Sequence, residues 1–385
     1  MNPPIAIRHL SSAPRILIRG TNWLGDAVMT TPSLLRLREK FPEARIAILT
    51  PENLRDLWLN QPGVNETVSF SPGENVLAVA KKMRAEKFDL ALVLPNSPRS
   101  AVEPWLAGIP QRIGYARPWR NFFLTQTVAP RAHAIKMRKL TVAEIRRRTG
   151  IAPVSDPVSN NLETGATPAL QTTAHQIHEY LHLAAALGAN PEPLAPRLTV
   201  TTEEIETAKK KFGLEKTAGP ILGLNPGAEY GPAKRWPSEK FIAAAKEIQQ
   251  RTNCIWLLFG GKSDAFITRQ IESAIRNPRS AISNLAGKTS LRQLMSLLKL
   301  CRVLLTNDTG PMHVAAALGT PVVVPFGSTS PELTGPGLPG DLRHHLLKSG
   351  APCSPCFLRD CPIDFRCMNS IGVERVVEAV LSTIC

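Results

Sequence analysis

Short apolar runs that alternate with amphipathic stretches, twice over, constrain this chain more than any other feature of its sequence. The first series comprises RILIRG (15–20), ARIAILT (44–50) and DLALVLPN (89–96), with a weaker run at VNETVSF (64–70). Between these runs LLRLREKF, LRDLWLNQ and VLAVAKKMRAEKF carry apolar residues at helical spacing. The second series is PILGLNPG (220–227), CIWLLFGG (254–261), AISNLAG (281–287), VLLTND (303–308) and PVVVPFG (321–327), again with helical stretches such as EKFIAAAKEIQQ and SLRQLMSLLKLC between. Strand–helix alternation of this kind calls for a parallel sheet covered on both faces. Two series predict two doubly wound α/β domains, and 385 residues suit two domains of roughly 150–200. The expected division is 1–188 and 189–385. The Pro/Ser/Thr/Asn-rich stretch 150–174 reads as a surface loop, HQIHEYLHLAAALG as a helix, and ANPEPLAPRL (189–198) as the linker.

Ligands of open parallel sheets bind beyond the carboxyl ends of the strands. With two such sheets the expected site is a cleft between two sets of strand ends, and the chain's unusual residues fall at such ends. In RILIRGTNWLGDAVMTTPSL (15–34) a strand leads into a glycine-rich turn holding one carboxylate, Asp26. Two roles suit an acid there: it caps the following helix, although Thr31 with Pro32 also reads as a cap, or it takes a proton in the cleft. In LLTNDTGPMHVAAALGTPVVVPFG (304–327) a strand ends in Asn307-Asp308-Thr309-Gly310 and a helix follows at once. Free N–H groups at a helix start bind anions, Gly310 permits close approach, and Thr309 offers a hydroxyl. His313 is expected one turn in, facing the anion; the structural alternative is that Asp308 caps and His313 packs. In LNPGAEYGPAKRWPSEKF (224–241) a glycine-rich loop presents Lys234 and Arg235, either as phosphate partners or as a solvated turn.

Several chemistries find no motif. No P-loop, GxGxxG, HExxH or GxSxG order occurs, and no DxD-type metal pair sits at a strand end. The tail CSPCFLRDCPIDFRC spaces Cys353, Cys356, Cys361 and Cys367 as C-x2-C-x4-C-x5-C, which matches neither a paired-CxxC ribbon nor a ferredoxin run. Four thiolates that close could hold zinc or an iron–sulfur cluster; buried free thiols are the expectation. Seven cysteines without an export signal at the start of the sequence point to a reduced, cytoplasmic chain. The net charge of +15 is uneven: residues 81–148 hold 15 Lys/Arg against 4 Asp/Glu. Such a band suits a phosphorylated substrate or an anionic membrane face, or else is a plain solvated surface. Nucleic acid is disfavoured, because aromatic residues make up only 5% and no nucleic-acid-binding spacing appears.

Together, GTNWLGDAVMTTPSL, LVLPNS, PGAEYGPAKRWP, NLAGKTSL and NDTGPMHVAAALGTPVV resemble the ADP-heptose:lipopolysaccharide heptosyltransferases, glycosyltransferase family nine. The resemblance spans residues 15 to about 330 and implies a GT-B fold, two Rossmann-like domains facing across a cleft. The first would hold the acceptor and the second the nucleotide sugar. It implies inverting, metal-independent transfer of L-glycero-D-manno-heptose from ADP-heptose to the inner core of lipopolysaccharide (Kdo/heptose-lipid A), with no cofactor. The AEYGPAKRWP form of the loop favours addition of the second heptose. By this resemblance Asp26 matches the general base and Lys234 the lysine at the diphosphate. Asn225, Gly227, Ala228, Glu229, Gly260, Asp308, Thr309, Gly310 and His313 fall to the nucleotide sugar. Asn22, Trp23, Asn96, Arg99, Arg112, Arg117 and Arg120 fall to the acceptor, the arginines meeting core phosphates or Kdo carboxylates. A peripheral position on the anionic inner face of the cytoplasmic membrane follows. FGGKSD (259–264) departs from expectation, with Lys262 where an acid would suit the ribose, which leaves the adenosine contacts open. The alternatives are a family member acting on a different core sugar and a non-catalytic nucleotide-sugar-binding protein.

Overall fold

The computed structural model describes residues 12–384 apart from 133, 136, 152–173, 218 and 277–281. Residues 1–11 and nearly all of the expected 150–174 loop lie outside the described residues. The chain forms two compact units, one built from residues 1–134 and 176–200, the other from 135–175 and 201–385.

The first unit holds a six-stranded sheet of β1 (Arg15–Arg19), β2 (Arg45–Pro51), β3 (Glu66–Phe70), β4 (Leu90–Val93), β5 (Gln111–Tyr115) and β6 (Gln126–Val128). All pairings are parallel, in the order β3-β2-β1-β4-β5-β6. Ile16, Leu17 and Ile18 of β1 are fully buried, as a central strand with helices on both faces requires. One face packs Leu17, Ala47, Leu49 and Ala91 against Val79 and Met83 of the helix Val76–Ala85.

The second unit repeats the plan with β7 (Ile221–Asn225), β8 (Ile255–Leu258), β9 (Ile282–Asn284), β10 (Leu304–Thr306), β11 (Val322–Phe326) and β12 (His345–Lys348). Their order, β12-β11-β10-β7-β8-β9, is the same winding read from the other edge, again all parallel. Trp236, Trp256 and Phe241 fill its core with Ile248 and Val380. In each unit the winding reverses beside the first strand, between β1 and β4 and between β7 and β10. Such a switch point opens a crevice at the strand ends.

Three expectations change. LRDLWLNQ is not an α-helix but a 3-10 segment, Glu52–Trp58; buried Leu54 and Leu57 lie three apart, the repeat that eclipses in that geometry. Residues 135–151 join the second unit rather than the first, because Leu140 and Ile145 pack on Cys353 and Cys356 and the Leu140 N–H donates to the Cys356 carbonyl at 3.0 Å. The expected linker 189–198 stays with the first unit, held where the Arg197 N–H donates to Thr31 Oγ1 at 3.1 Å.

Candidate active site

In the first unit the turn after β1 delivers Asp26 into the first turn of the helix Leu24–Met29. That helix is entered at Trp23 without a side-chain cap, so Asp26 does not serve as the N-cap residue. Thr31 is not a cap either: its hydroxyl donates back to the Val28 carbonyl at 2.8 Å. Asp26 is half-buried, and its Oδ1 accepts a hydrogen bond of 3.3 Å from Gln176 Nε2. The same amide donates to the Tyr180 hydroxyl at 2.8 Å. Burial first, and the Asp26 charge second, push the Tyr180 phenol well above its ordinary range, so it stays a neutral hydroxyl beside the carboxylate. Gln176 lies 150 residues from Asp26, and no local pattern in the sequence announced the contact.

Beneath this turn sits a buried ion pair. Arg19 Nε meets Glu103 Oε2 at 2.7 Å, with both side chains almost wholly out of water. Arg19 Nη1 donates to the Gly20 carbonyl at 2.6 Å and to Asn22 Oδ1 at 3.0 Å. The pair therefore anchors the bend that carries Asn22, Trp23 and Asp26. Trp23 itself is 60% exposed.

The four arginines expected to meet acceptor anions divide by how their donors are used. Arg99 pairs with Glu103 at 2.9 Å and donates to the Glu74 carbonyl. Arg112 gives its Nε to the Phe123 carbonyl at 2.7 Å and its Nη1 to that of Ile109, which ties β5 to its neighbours. Arg117 lies 5.7 Å over the Tyr115 ring and donates to the Ala116 carbonyl. Arg120 differs. It is 0% exposed, its Nη1 donates to the Pro95 carbonyl at 2.7 Å and to Asn96 Oδ1 at 3.2 Å, and its Nε and Nη2 meet no acceptor among the described residues. Burial and neighbouring Arg117 lower its pKa to about 10. A buried guanidinium with unmet donors and no carboxylate is costly unless an anion completes it. Asn96 follows β4 at the switch point.

In the second unit the β10 end and the glycine-rich loop are sewn together. Asn307, fully buried, accepts from the Trp236 N–H at 2.9 Å and donates to the Pro226 carbonyl at 2.7 Å. Asn225 Nδ2 donates to Thr306 Oγ1 at 3.1 Å. This stitching delivers Lys234 to Asp308, Nζ to Oδ2 2.7 Å, and the Thr329 hydroxyl donates to the same oxygen at 2.6 Å. Asp308 is thus a partner of Lys234, while Thr309 occupies the N-cap position of the helix Gly310–Ala317 without a side-chain cap bond. His313 is buried one turn into that helix. Burial, chiefly, lowers its pKa to about 4; Asp308 opposes this, while His175 and Lys234 reinforce it. His313 is a neutral imidazole.

Beside these groups a cleft of about 290 Å³ is lined by Asn225, Gly227, Glu229, Gly260, Thr309 and Asp264, among others. Asp264 stands two residues beyond Lys262 and lines this cleft. Its Oδ2 accepts from the Gly261 N–H at 2.9 Å. A Cβ on Gly227 would lie 2.4–2.5 Å from its carboxyl group, and one on Gly260 2.8 Å from its Cβ. The glycines are what give the carboxylate its seat. The far wall, Thr289 to Leu294, includes the start of the helix Leu291–Leu300. The cleft has room for a polar ligand whose hydroxyls can donate to Asp264, and Thr309 brings it to the start of the helix Gly310–Ala317.

Among the described residues no group of three or more His, Cys, Asp or Glu is placed to hold a metal ion. Cys353, Cys356 and Cys367 are buried free thiols and Cys361 is half-buried. Burial raises the pKa of Cys353 and Cys356, and that of Cys367 to about 12.

Comparison with known proteins bears on this arrangement. The family model described as glycosyltransferase family 9 (heptosyltransferase) matches residues 76–147 and 140–365. Lipopolysaccharide heptosyltransferase 2 of Escherichia coli K12 is 32% identical over 336 residues, 84% of this chain and 85% of that protein. Lipooligosaccharide heptosyltransferase 2 of Haemophilus ducreyi is 30% identical over 338 residues, with 84% and 86% covered. The structure of E. coli ADP-heptose lps heptosyltransferase II superposes with a TM-score of 0.73 at 27% identity, covering 96% of this chain and 98% of that one.

Proposed function

Because the chain belongs to glycosyltransferase family 9, the heptosyltransferases, we propose that it transfers L-glycero-D-manno-heptose from ADP-heptose to the inner core of lipopolysaccharide, as the second heptose and with inversion. It is a glycosyltransferase of the GT-B class, two Rossmann-like units, and the non-catalytic alternative drops out. The observation that carries the finer reading is the likeness to heptosyltransferase 2 along 84% of the chain.

In the proposed reaction the Asp26 carboxylate takes the proton of the acceptor hydroxyl. The freed oxygen pair attacks the anomeric carbon, the bond from that carbon to the β-phosphate oxygen breaks, and ADP departs with the electron pair. One displacement inverts the anomeric centre. Negative charge grows on the leaving diphosphate, and Lys234 with the N–H groups at the start of Gly310–Ala317 offsets it. Asp264 holds the ribose and His313 is an uncharged donor or acceptor near the phosphates. No step calls for a metal. Arg120, whose Nε and Nη2 meet no acceptor among the described residues, is the first of the acceptor arginines to test against a core phosphate or Kdo carboxylate; Asn96 sets its direction.

The acceptor is a glycolipid, so the reading includes a cytoplasmic enzyme working at the anionic face of the inner membrane. No helix among the described residues is long and apolar enough to cross a bilayer. The test is transfer from ADP-heptose onto cores of defined truncation, with Asp26→Asn alongside wild type. Loss of a general base costs roughly 10²–10⁴ in rate, and ADP-heptose affinity should be kept. Transfer by Asp26→Asn within a few-fold of wild type would remove Asp26 as the base.

A further inference from the structure

Aromatic residues are sparse in this chain, 5% overall, yet Trp105, Tyr115, Trp119, Phe122 and Phe123 fall within 19 residues. Three of them face water: Trp119 is 89% exposed, Phe122 81% and Trp105 40%. Large apolar side chains exposed together mark an interaction site. The mount beneath them is firm. Arg120 bolts one side of the segment to the Pro95 carbonyl and Asn96. Phe123 packs on the other side edge-on to Trp105 at 5.2 Å and against buried Val93, Ala101 and Leu124. Phe122 meets Trp105 at 6.4 Å and Phe123 at 5.5 Å. At Trp119 the backbone has φ +65°, the left-handed region that bulky side chains avoid. The two rings are held outward on an anchored segment.

Charge identifies the occupant. From residue 97 to residue 131 the chain has five arginines and one acid, Glu103. That acid is fully buried and committed to Arg19 and Arg99. The stretch thus presents no exposed carboxylate; exposed Arg99 and half-buried Arg112 and Arg117 accompany the protruding indole and phenyl rings, while Arg120 is buried and Arg131 pairs with Glu179. Rings of this type partition into the headgroup layer of a bilayer, and the basic residues add attraction to anionic lipids. A second copy of the same cationic surface would be repelled.

We propose that Trp105, Trp119 and Phe122 form the membrane-docking surface of this enzyme, with an anionic lipid bilayer as the partner. This deepens, and rests on, the reading of a membrane-held acceptor. The experiment is flotation of the full chain with vesicles of phosphatidylethanolamine and phosphatidylglycerol, against vesicles of phosphatidylcholine alone. Wild type should float with the anionic vesicles, with a blue-shifted tryptophan emission. Trp119→Ser/Phe122→Ser should keep its melting temperature and bind these vesicles roughly 10- to 100-fold more weakly, because two rings no longer leave water. Its transfer to a deacylated, lipid-free core should stay within a few-fold of wild type. Undiminished vesicle binding by the double variant would overturn the proposal. So would a wild type that ignores anionic vesicles, or one in which the substitutions abolish self-association or binding of a single-stranded oligonucleotide instead. Failure of wild type to transfer to the deacylated core would count against the reaction, not the docking surface.

Discussion

His313 offers a prediction whose size follows from its surroundings. Its imidazole is buried in the second unit near Asp308, Lys234 and His175, and its pKa falls from 6.5 to about 4. In the unfolded chain it returns to the ordinary value. Between those two pH values the unfolded chain binds a proton that the folded chain refuses, so stability declines as pH falls through 6.5 and levels off near 4. At about 1.4 kcal/mol per pH unit, the gap is worth about 3 kcal/mol. The contribution is whole above pH 6.5 and gone below 4. His313→Gln removes this titration and leaves the others. Burial also lowers the pKa of His182 and His344, and both persist in the variant, so they cancel in the comparison. Urea unfolding across about pH 4 to 7 should show a wild-type loss exceeding the variant's by about 3 kcal/mol. Parallel pH profiles would refute the reasoning, because His313 would then be protonated, or solvated, in the folded state.

Lys234→Ala should slow transfer by about 10²–10³ while weakening ADP-heptose less, as steady-state kinetics and calorimetry would report; an unchanged rate would return Lys234 to a surface turn. Gly227→Ala drives a methyl group into the Asp264 carboxylate, and overpacking of about 1–3 kcal/mol should lower ADP affinity about ten- to a hundredfold with the fold intact. Unaltered ADP binding would take Asp264 out of the nucleoside site. Glu103→Gln leaves Arg19 buried beside a neutral amide, so chemical denaturation should reveal a loss of about 3–5 kcal/mol. A loss below about 1 kcal/mol would mean that the pair is not the anchor of the Asp26 turn.

What could be read in advance was whatever is local. Seven strands announced themselves because central parallel strands are continuous apolar runs, and the edge strands β3 and β9 by weaker runs. β5, β6 and β12 did not: Gln111–Tyr115 carries Arg112 and Gly114, Gln126–Val128 is three residues at a sheet edge, and His345–Lys348 is half-exposed at the other. The segments carrying Lys234 and Asp308-Thr309-Gly310 were legible because each sits on one strand–loop–helix passage. Asp264 was missed, since its meaning depends on Gly227, which comes close only in the folded sheet. Gln176 was missed for the same reason at longer range. Residues 135–151 were placed in the first unit because the linker was read at 189–198, whereas buried Leu140 and Ile145 decide where they pack.

The ion pair between Lys234 and Asp308 neutralises from within the cation proposed for the diphosphate. An ammonium has three N–H donors, so a bare anion meeting Lys234 shares it with a carboxylate already held at 2.7 Å. The cation's charge is largely offset before the anion arrives, and the net gain is small. A ligand that also fills the glycine-walled cleft brings adenosine contacts that the resident carboxylate cannot match. In the proposed reaction, preference for a whole nucleotide sugar over inorganic phosphate would follow from that internal carboxylate. The same contact fixes where the ammonium points, so its position is set before any ligand binds.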